Sequence, residues 1–401
     1  MARRIALAVL GLTLGMLVAP GRGNAAETIK VGFMAPLSGI FAQAGKDMLE
    51  GIRLSFEQIG YQSAGRKIEL IEEDSEGNPA VAQAKYRKLV TQDHIHVLTG
   101  VLLSNIGYGL IQPIERDQLP TLFLTTPDDL TKKNVSKWIL RTNFAASQPM
   151  HPLGDYAAKT LKYKKVVTIA MDNPFGHEQI GGFQRVFEDA GGRVVQKIWV
   201  PLNTLDFAPY LTQVGKDADA VCAVFVAAQG VRFIKQYAEY GLKYPIAGFN
   251  LNTADAWAAG DGNLAGIWPT VWHHELSTPG SRKFVAEFRK RYGKPPENHA
   301  WIEYVSLKIM AEAMNATKST DTEKLIAYFE RGTEFDLLKA RPGYFRSWDH
   351  QLMQEAYPFT VKPKGKAKDK WDFLQFGAAV PAASQPLDLL APTREQNTCK
   401  M

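Results

Sequence analysis

The chain has 401 residues, 45% of them hydrophobic and 22% charged. That is too long for one comfortable domain and predicts two, of roughly 150 to 200 residues each. The formal charge of +6 falls to +3 without Arg3, Arg4 and Arg22, which gives no case for nucleic acid or an acidic membrane surface.

The first residues read as an export signal. Met1-Ala2-Arg3-Arg4 is basic, Ile5 to Pro20 is apolar, and Gly23-Asn24-Ala25-Ala26 offers small residues for cleavage. A signal peptide over 1–25 is predicted, and with it a periplasmic location. No cysteine follows the cleavage point, so no lipid anchor is expected. No later stretch reaches about 18 unbroken apolar residues, so the mature chain is expected to be soluble.

Strand and helix patterns then alternate. Ile29 to Met34 reads as a strand and Lys46 to Ile59 as a helix with Met48, Leu49, Ile52, Leu54 and Phe56 at helical spacing. Strand Lys67–Ile71, helix Pro79–Gln92, strand His96–Leu98, helix Asn105–Arg116 and strand Thr121–Thr125 follow. A second series begins with helix Pro149–Leu161 and strand Lys165–Met171. It continues through helix His177–Asp189, strand Arg193–Val200, helix Phe207–Val214, strand Ala220–Val226, helix Val231–Tyr240 and strand Ile246–Asn250. This alternation predicts βαβ units and mainly parallel sheets, an α/β fold. Helices Ser281–Tyr292, Trp301–Ala316 and Thr322–Arg331 come in succession before a short strand, Tyr357–Val361. The late helical block suggests a return to the first unit.

Several motifs fail. Gly39-Ile-Phe-Ala-Gln-Ala-Gly45-Lys46 has five residues between its glycines where a phosphate loop needs four, and Asp47 follows the lysine. His273-His274-Glu275 lacks zinc-protease spacing, and no G-x-S-x-G elbow occurs. Glu72-Glu73-Asp74 before Glu76-Gly77-Asn78-Pro79 reads as a cap and a solvated turn. The alternating lysines from Lys362 to Lys370 read as a solvated hairpin tip. No metal site or cofactor is expected. Cys222 and Cys399 are the two cysteines, and an exported chain can pair them.

Polar residues gather at strand ends, where open α/β sheets bind ligands. The run from Gly100 through Val101-Leu102-Leu103 stops at Ser104-Asn105. The next strand stops at Thr125-Thr126, and others at Asn250 and at Asp172-Asn173-Pro174-Phe175. Ser104 suits a helix N-cap, and free N–H groups at a helix start can hold a carboxylate without arginine.

At these residues the chain resembles the periplasmic leucine/isoleucine/valine-binding family of ABC-transporter solute-binding proteins. The resemblance rests on Ile29-Lys-Val-Gly-Phe-Met-Ala-Pro-Leu-Ser-Gly39, Glu73 to Pro79, Gly100 to Ser104, Thr125 to Thr131 and Phe233 to Leu242, in that order. It implies a type I periplasmic binding fold: two doubly wound α/β lobes joined by a three-segment hinge near Asn143, Val271 and Tyr357. On that pattern residues 26–143 with 272–356 form lobe 1, and 144–271 with 357–401 form lobe 2. It further implies a monomer that closes on a small carboxylate and delivers it to an ABC-transporter permease, without enzymatic turnover.

Carried over position by position, Ser104 falls on the family's carboxylate-binding serine, Thr125 near its ligand-binding threonine, and Phe175 on an aromatic that covers the ligand. Leu103, Asn105 and Thr126 flank these positions. Two departures matter. Asn250 stands where amino-acid binders place the acid that pairs with the ligand's ammonium, and an amide cannot make burial of that charge tolerable. Ala44 stands where they commonly place a large aromatic, and Ala227-Ala228-Gln229 replaces an aromatic-rich turn. The expected ligand is therefore a carboxylate without an ammonium, larger than leucine: an aromatic acid such as a hydroxybenzoate or hydroxycinnamate. Phe41, Phe175, Tyr108 and Trp257 are the rings available to stack on it. The competing readings are a branched-chain amino acid or amide binder, an exported enzyme and a receptor-coupled sensor.

Overall fold

The computed structural model describes residues 27–247, 253–260, 268–363, 365–395 and 397. Cleavage of the predicted signal, Asn250 and Cys399 all concern residues outside these.

The first series gives β1 (Ile29–Ala35), α1 (Ala42–Gln58), β2 (Gln62–Ser63), β3 (Arg66–Asp74), α2 (Pro79–Thr91), β4 (Val97–Thr99), α3 (Ser104–Asp117), β5 (Thr121–Phe123) and β6 (Ile139–Arg141). These strands form one sheet in the order β2-β3-β1-β4-β5-β6, parallel except for β2. β4, β5 and β6 are buried at every residue, as strands covered on both faces must be. α2 starts where the sequence placed it, because Asn78 Oδ1 accepts from Ala80 N and Val81 N and Pro79 opens the first turn.

The second series gives α4 (Met150–Lys159), β7 (Lys165–Met171), α5 (Pro174–Asp189), β8 (Arg193–Val200), α6 (Ala208–Leu211), β9 (Ala220–Val224), α7 (Ala227–Glu239) and α8 (Thr253–Ala259). Its sheet runs β8-β7-β9, all parallel, and Ile246 adds a parallel bridge to Val221. The remaining elements are β10 (Trp268–Thr270), α9 (Pro279–Tyr292), α10 (Asn298–Thr317), α11 (Thr322–Glu330), β11 (Glu334–Phe335), β12 (Gly343–Phe345), β13 (Leu352–Met353), β14 (Tyr357–Val361) and β15 (Leu374–Phe376). β10, β14 and β15 form an antiparallel sheet, as do β11, β12 and β13.

One hydrophobic core joins residues from Ile29 to Leu140 with residues from Trp272 to Leu352. The late helices therefore do pack on the first sheet: Trp301, Val305 and Ile309 of α10 and Phe284 of α9 share a core with Phe33 and Met48. The second sheet carries its own cores on its two faces, one of which takes in Trp268, Phe359 and Leu374. The C-terminal tail was expected with the second lobe, yet its end lies on residues of the first core's side. Arg341 donates to Gln385 O (2.8 Å), Arg346 to Pro392 O (2.8 Å) and Asn397 to Thr131 O (2.8 Å).

Cys222 corrects one expectation. It is a free thiol, fully buried in the middle of β9, where it packs with Phe183, Phe187 and Met150. A side chain sealed into that core is not available to a tail cysteine. Among the described residues no helix is long and apolar enough to cross a membrane.

Candidate functional site

The polar strand end opens on a turn rather than on more strand. β4 stops at Thr99, and residues 100–103 are irregular, which corrects the expected continuation to Leu103. Gly100 has φ +93°, and a Cβ there would sit 2.8 Å from the Phe33 ring and 3.0 Å from Met34 backbone. Only glycine turns the chain at that point without displacing β1. Leu103, not Ser104, is the N-cap of α3 (φ −83°, ψ 137°), and Ser104 is the first helical residue. Ser104 therefore caps nothing. Its hydroxyl has no partner among the described residues, and Asn105 Oδ1 takes the N–H of Ile106 (3.0 Å). The N–H groups of Ser104 and Asn105 lie in the first turn, which has no intrahelical acceptor for them.

A cavity of about 280 Å³ opens in front of this turn. From the first α/β core it is lined by Phe41, Ala44, Leu103, Ser104, Asn105 and Thr126. From the second it is lined by Asn173, Phe175, Leu202, Val226 and Ala227, while Asn143 and Val271 stand at the crossings between them. Thus six residues singled out on the first side, with Phe175, meet at one cavity. The starts of α1, α3, α5, α7 and α10 all border it, each presenting the partial positive end of a helix.

Four expected contributors stand elsewhere. Thr125 is fully buried behind α3, where a Cβ on Gly107 would lie 2.6 Å from its methyl group, so Thr126 faces the cavity in its place. Gln229 turns its amide to Pro201 O (2.7 Å) and does not line the cavity. Trp257 donates its indole N–H to Trp371 O (3.1 Å) and is no stacking partner. Tyr108 is also outside the cavity: its hydroxyl donates to Glu178 Oε1 (3.3 Å) on α5, tying the two cores together beside the site.

The lining residues missed include two polar ones, Asn298 and His299 at the start of α10. The signal available was Pro295-Pro296-Glu297, a helix start in which the Glu297 carboxylate accepts from Ala300 N (2.9 Å). No apolar periodicity reaches back to these positions.

A family model described as periplasmic binding protein matches residues 28–367. The chain belongs to this family. A Leu/Ile/Val-binding protein homolog 6 of Brucella melitensis is 30% identical over 287 residues, 68% of this chain and 71% of that protein. An ABC transporter substrate-binding protein from Sphaerobacter thermophilus superposes with a TM-score of 0.79 at 29% identity, covering 88% of this chain and 98% of that one. A solute-binding protein of an ABC transporter from Rhodopseudomonas palustris BisB5, solved with 3,4-dihydroxybenzoic acid, has a TM-score of 0.79 at 27% identity and covers 88% and 97%. The fold is that of a type I periplasmic binding protein, and the two α/β cores are its lobes.

In this binding protein the site's charge is arranged without lysine or arginine among the described lining residues. Asp172 is tied to His177 (2.8 Å). His299 is the remaining ionisable group on the wall. Burial opposes its charged form, but Glu297 at 3.1 Å, with Asp255 and Asp47 beyond, raises its pKa above the ordinary value. Behind it Asp47 is pushed up to about 7 by burial and by Glu297, against the pull of Lys294 at 2.6 Å. Lys294 also pairs with Glu50 (2.8 Å). Across the cleft, burial and then Asp128 push Glu178 up to about 7. A pocket with a hydroxyl and helix N–H groups, walled by Phe41, Leu103, Phe175 and Val271, suits an anionic ligand with an apolar body.

Proposed function

We propose that this chain is a periplasmic solute-binding protein that captures an aromatic carboxylate by lobe closure and delivers it to an ABC-transporter permease. The observation that carries the reading is the cavity itself. At the start of α3, Ser104 and Asn105, with Thr126 beside them, suit a carboxylate, while Phe41 and Phe175 stand on opposite lobes and suit a ring between them. Ala44 leaves room where a large aromatic would close the space. The dihydroxybenzoate complex of the Rhodopseudomonas palustris relative supports the same class. The lobes close about crossings near Asn143, Val271 and Tyr357. Residues 1–25 direct export and are removed, and the bound acid leaves unchanged.

Isothermal titration with 4-hydroxybenzoate, 4-coumarate, leucine and urea tests this. The aromatic acids are expected to bind and leucine to bind weakly or not at all. Tight leucine binding with no response to aromatic acids would overturn it in favour of the branched-chain reading, which the names of the Brucella relatives favour. Sequencing the N-terminus of protein recovered from a periplasmic fraction checks the processing.

A further inference from the structure

The ligand cavity does not end at Ala44. A second chamber, of about 610 Å³, lies beyond Ala44 and Ala227 and reaches Gln43, Arg232 and Asp255. Ala44, Ala227 and His299 border both spaces. A small residue on each lobe, Ala44 and Ala227, thus stands between the two spaces, and His299 borders both.

His299 is held in a defined pose. The residue is 8% exposed, and Nδ1 lies 3.1 Å from Glu297 Oε2. Glu297 is itself fixed by the N–H of Ala300 (2.9 Å). With Nδ1 committed as donor to that carboxylate, the ring offers Nε2 as its second polar atom, and Nε2 has no partner among the described residues. The nearby acids are engaged elsewhere. Asp47 binds Lys294 (2.6 Å) and Gln43 (3.1 Å), and Asp255 accepts from Ala227 N (2.7 Å). Nε2 is therefore the ring atom left for a ligand oxygen. The acids grouped behind the ring raise its pKa, and Nε2 can pair with a hydroxyl as donor or as acceptor.

We propose that His299 reads the ring of the ligand: its Nε2 makes a hydrogen bond to a hydroxyl on the ring of the bound acid, and the space beyond Ala44 takes the longer members of that class. The ligands so selected are ring-oxygenated aromatic acids, in preference to the same acids without the oxygen. This rests on the carboxylate reading given above. It adds His299 as a residue that sets specificity.

The test is a titration of benzoate against 4-hydroxybenzoate, and cinnamate against 4-coumarate, on the wild type, His299→Leu and His299→Gln. The wild type is expected to prefer each hydroxylated acid by tenfold or more. His299→Leu is expected to bring each ratio to within about twofold of one. His299→Gln, which keeps a donor near the Nε2 position, is expected to restore part of it. An unchanged ratio in a folded His299→Leu protein overturns the assignment but leaves the carboxylate reading standing. Absence of binding by all four acids to the wild type overturns both. Should the leucine variant not fold, a crystal structure of the wild type with 4-coumarate answers directly: the phenolic oxygen is expected within about 3.2 Å of Nε2, and an oxygen turned away from His299 refutes it.

Discussion

Glu303 offers a quantitative test of how the site is joined to the core. It lies on α10, one turn beyond His299, and is fully buried. Thr99 Oγ1 sits 3.0 and 3.2 Å from its two carboxyl oxygens, at the end of β4, and the N–H of Gly100 also reaches it. Burial outweighs these donors and pushes its pKa from 4.5 to about 8. The sign follows from proton linkage. Between pH 4.5 and 8 the folded chain keeps a proton that the unfolded chain releases, so this group's contribution to stability falls as pH rises and levels off above about 8. At about 1.4 kcal/mol per pH unit, the cost is roughly 2 kcal/mol at pH 6 and roughly 4 kcal/mol at pH 8. Glu303→Gln keeps the shape, a carbonyl for the Gly100 N–H and an amide that the Thr99 hydroxyl can accept from. It carries no proton to lose. The variant is therefore expected to be more stable than the wild type by an amount that grows by roughly 2 kcal/mol from pH 6 to pH 8. Urea unfolding followed by tryptophan fluorescence at pH 5, 6, 7 and 8 measures the difference. Other titrating groups are common to both proteins and cancel. A wild-type-minus-variant difference that stays flat across this range would refute the assignment of a protonated Glu303.

Further tests address the ligand and the cores. Ser104→Ala removes a hydroxyl expected to hold the carboxylate; a hydrogen bond to a charged group contributes about 1.5–3 kcal/mol, so Kd is expected to rise roughly ten- to hundredfold for every acid in the panel. Calorimetry showing no change would place the carboxylate elsewhere. Tyr108→Phe deletes the hydrogen bond to Glu178 that joins the lobes (3.3 Å); about 1 kcal/mol of closed-state stability should go, weakening binding about fivefold with an unaltered circular dichroism spectrum. Small-angle scattering of the liganded variant is expected to show a larger open fraction. Burial holds the Cys222 thiol well above its usual range, so it should resist a thiol reagent in the native protein and react on unfolding without reductant. A denatured, unreduced chain with no reactive thiol would instead show that Cys222 is paired.

Much of the fold was legible because it follows from burial. β7, β8 and β14 occupy the predicted spans, and α2, α9 and α11 begin or end within about two residues of them. Their sequences carry apolar periodicity or caps that act locally, as Asn78-Pro79 does for α2. The short antiparallel strands β11 to β13 were not legible, since two- and three-residue strands carry no period. Thr125 and Gln229 failed for a different reason. Both are uncharged polar residues near a strand end, and pattern cannot say whether such a side chain faces the cleft or the back of a helix. The packing of Gly107 against Thr125 decides one, and the Pro201 carbonyl decides the other.

The largest systematic difference concerns where helices begin, and it falls on the site. α1, α5, α7 and α10 each start three or four residues before the apolar stripe that announced them. The added first turns supply Ala44, Phe175, Ala227 and His299, all of which line the cavity. The cause is geometric. A helix body packs on its sheet and needs an apolar face, whereas its first turn projects past the carboxyl end of the sheet and faces the cleft. Residues there answer to the ligand and not to the core, so they break the period that identifies the helix. In this fold a helix whose apolar pattern begins late marks a first turn given over to binding. That accounts for the ease with which the strand-end serine was found and for the omission of His299, which sits on a helix whose sequence first becomes regular at Trp301.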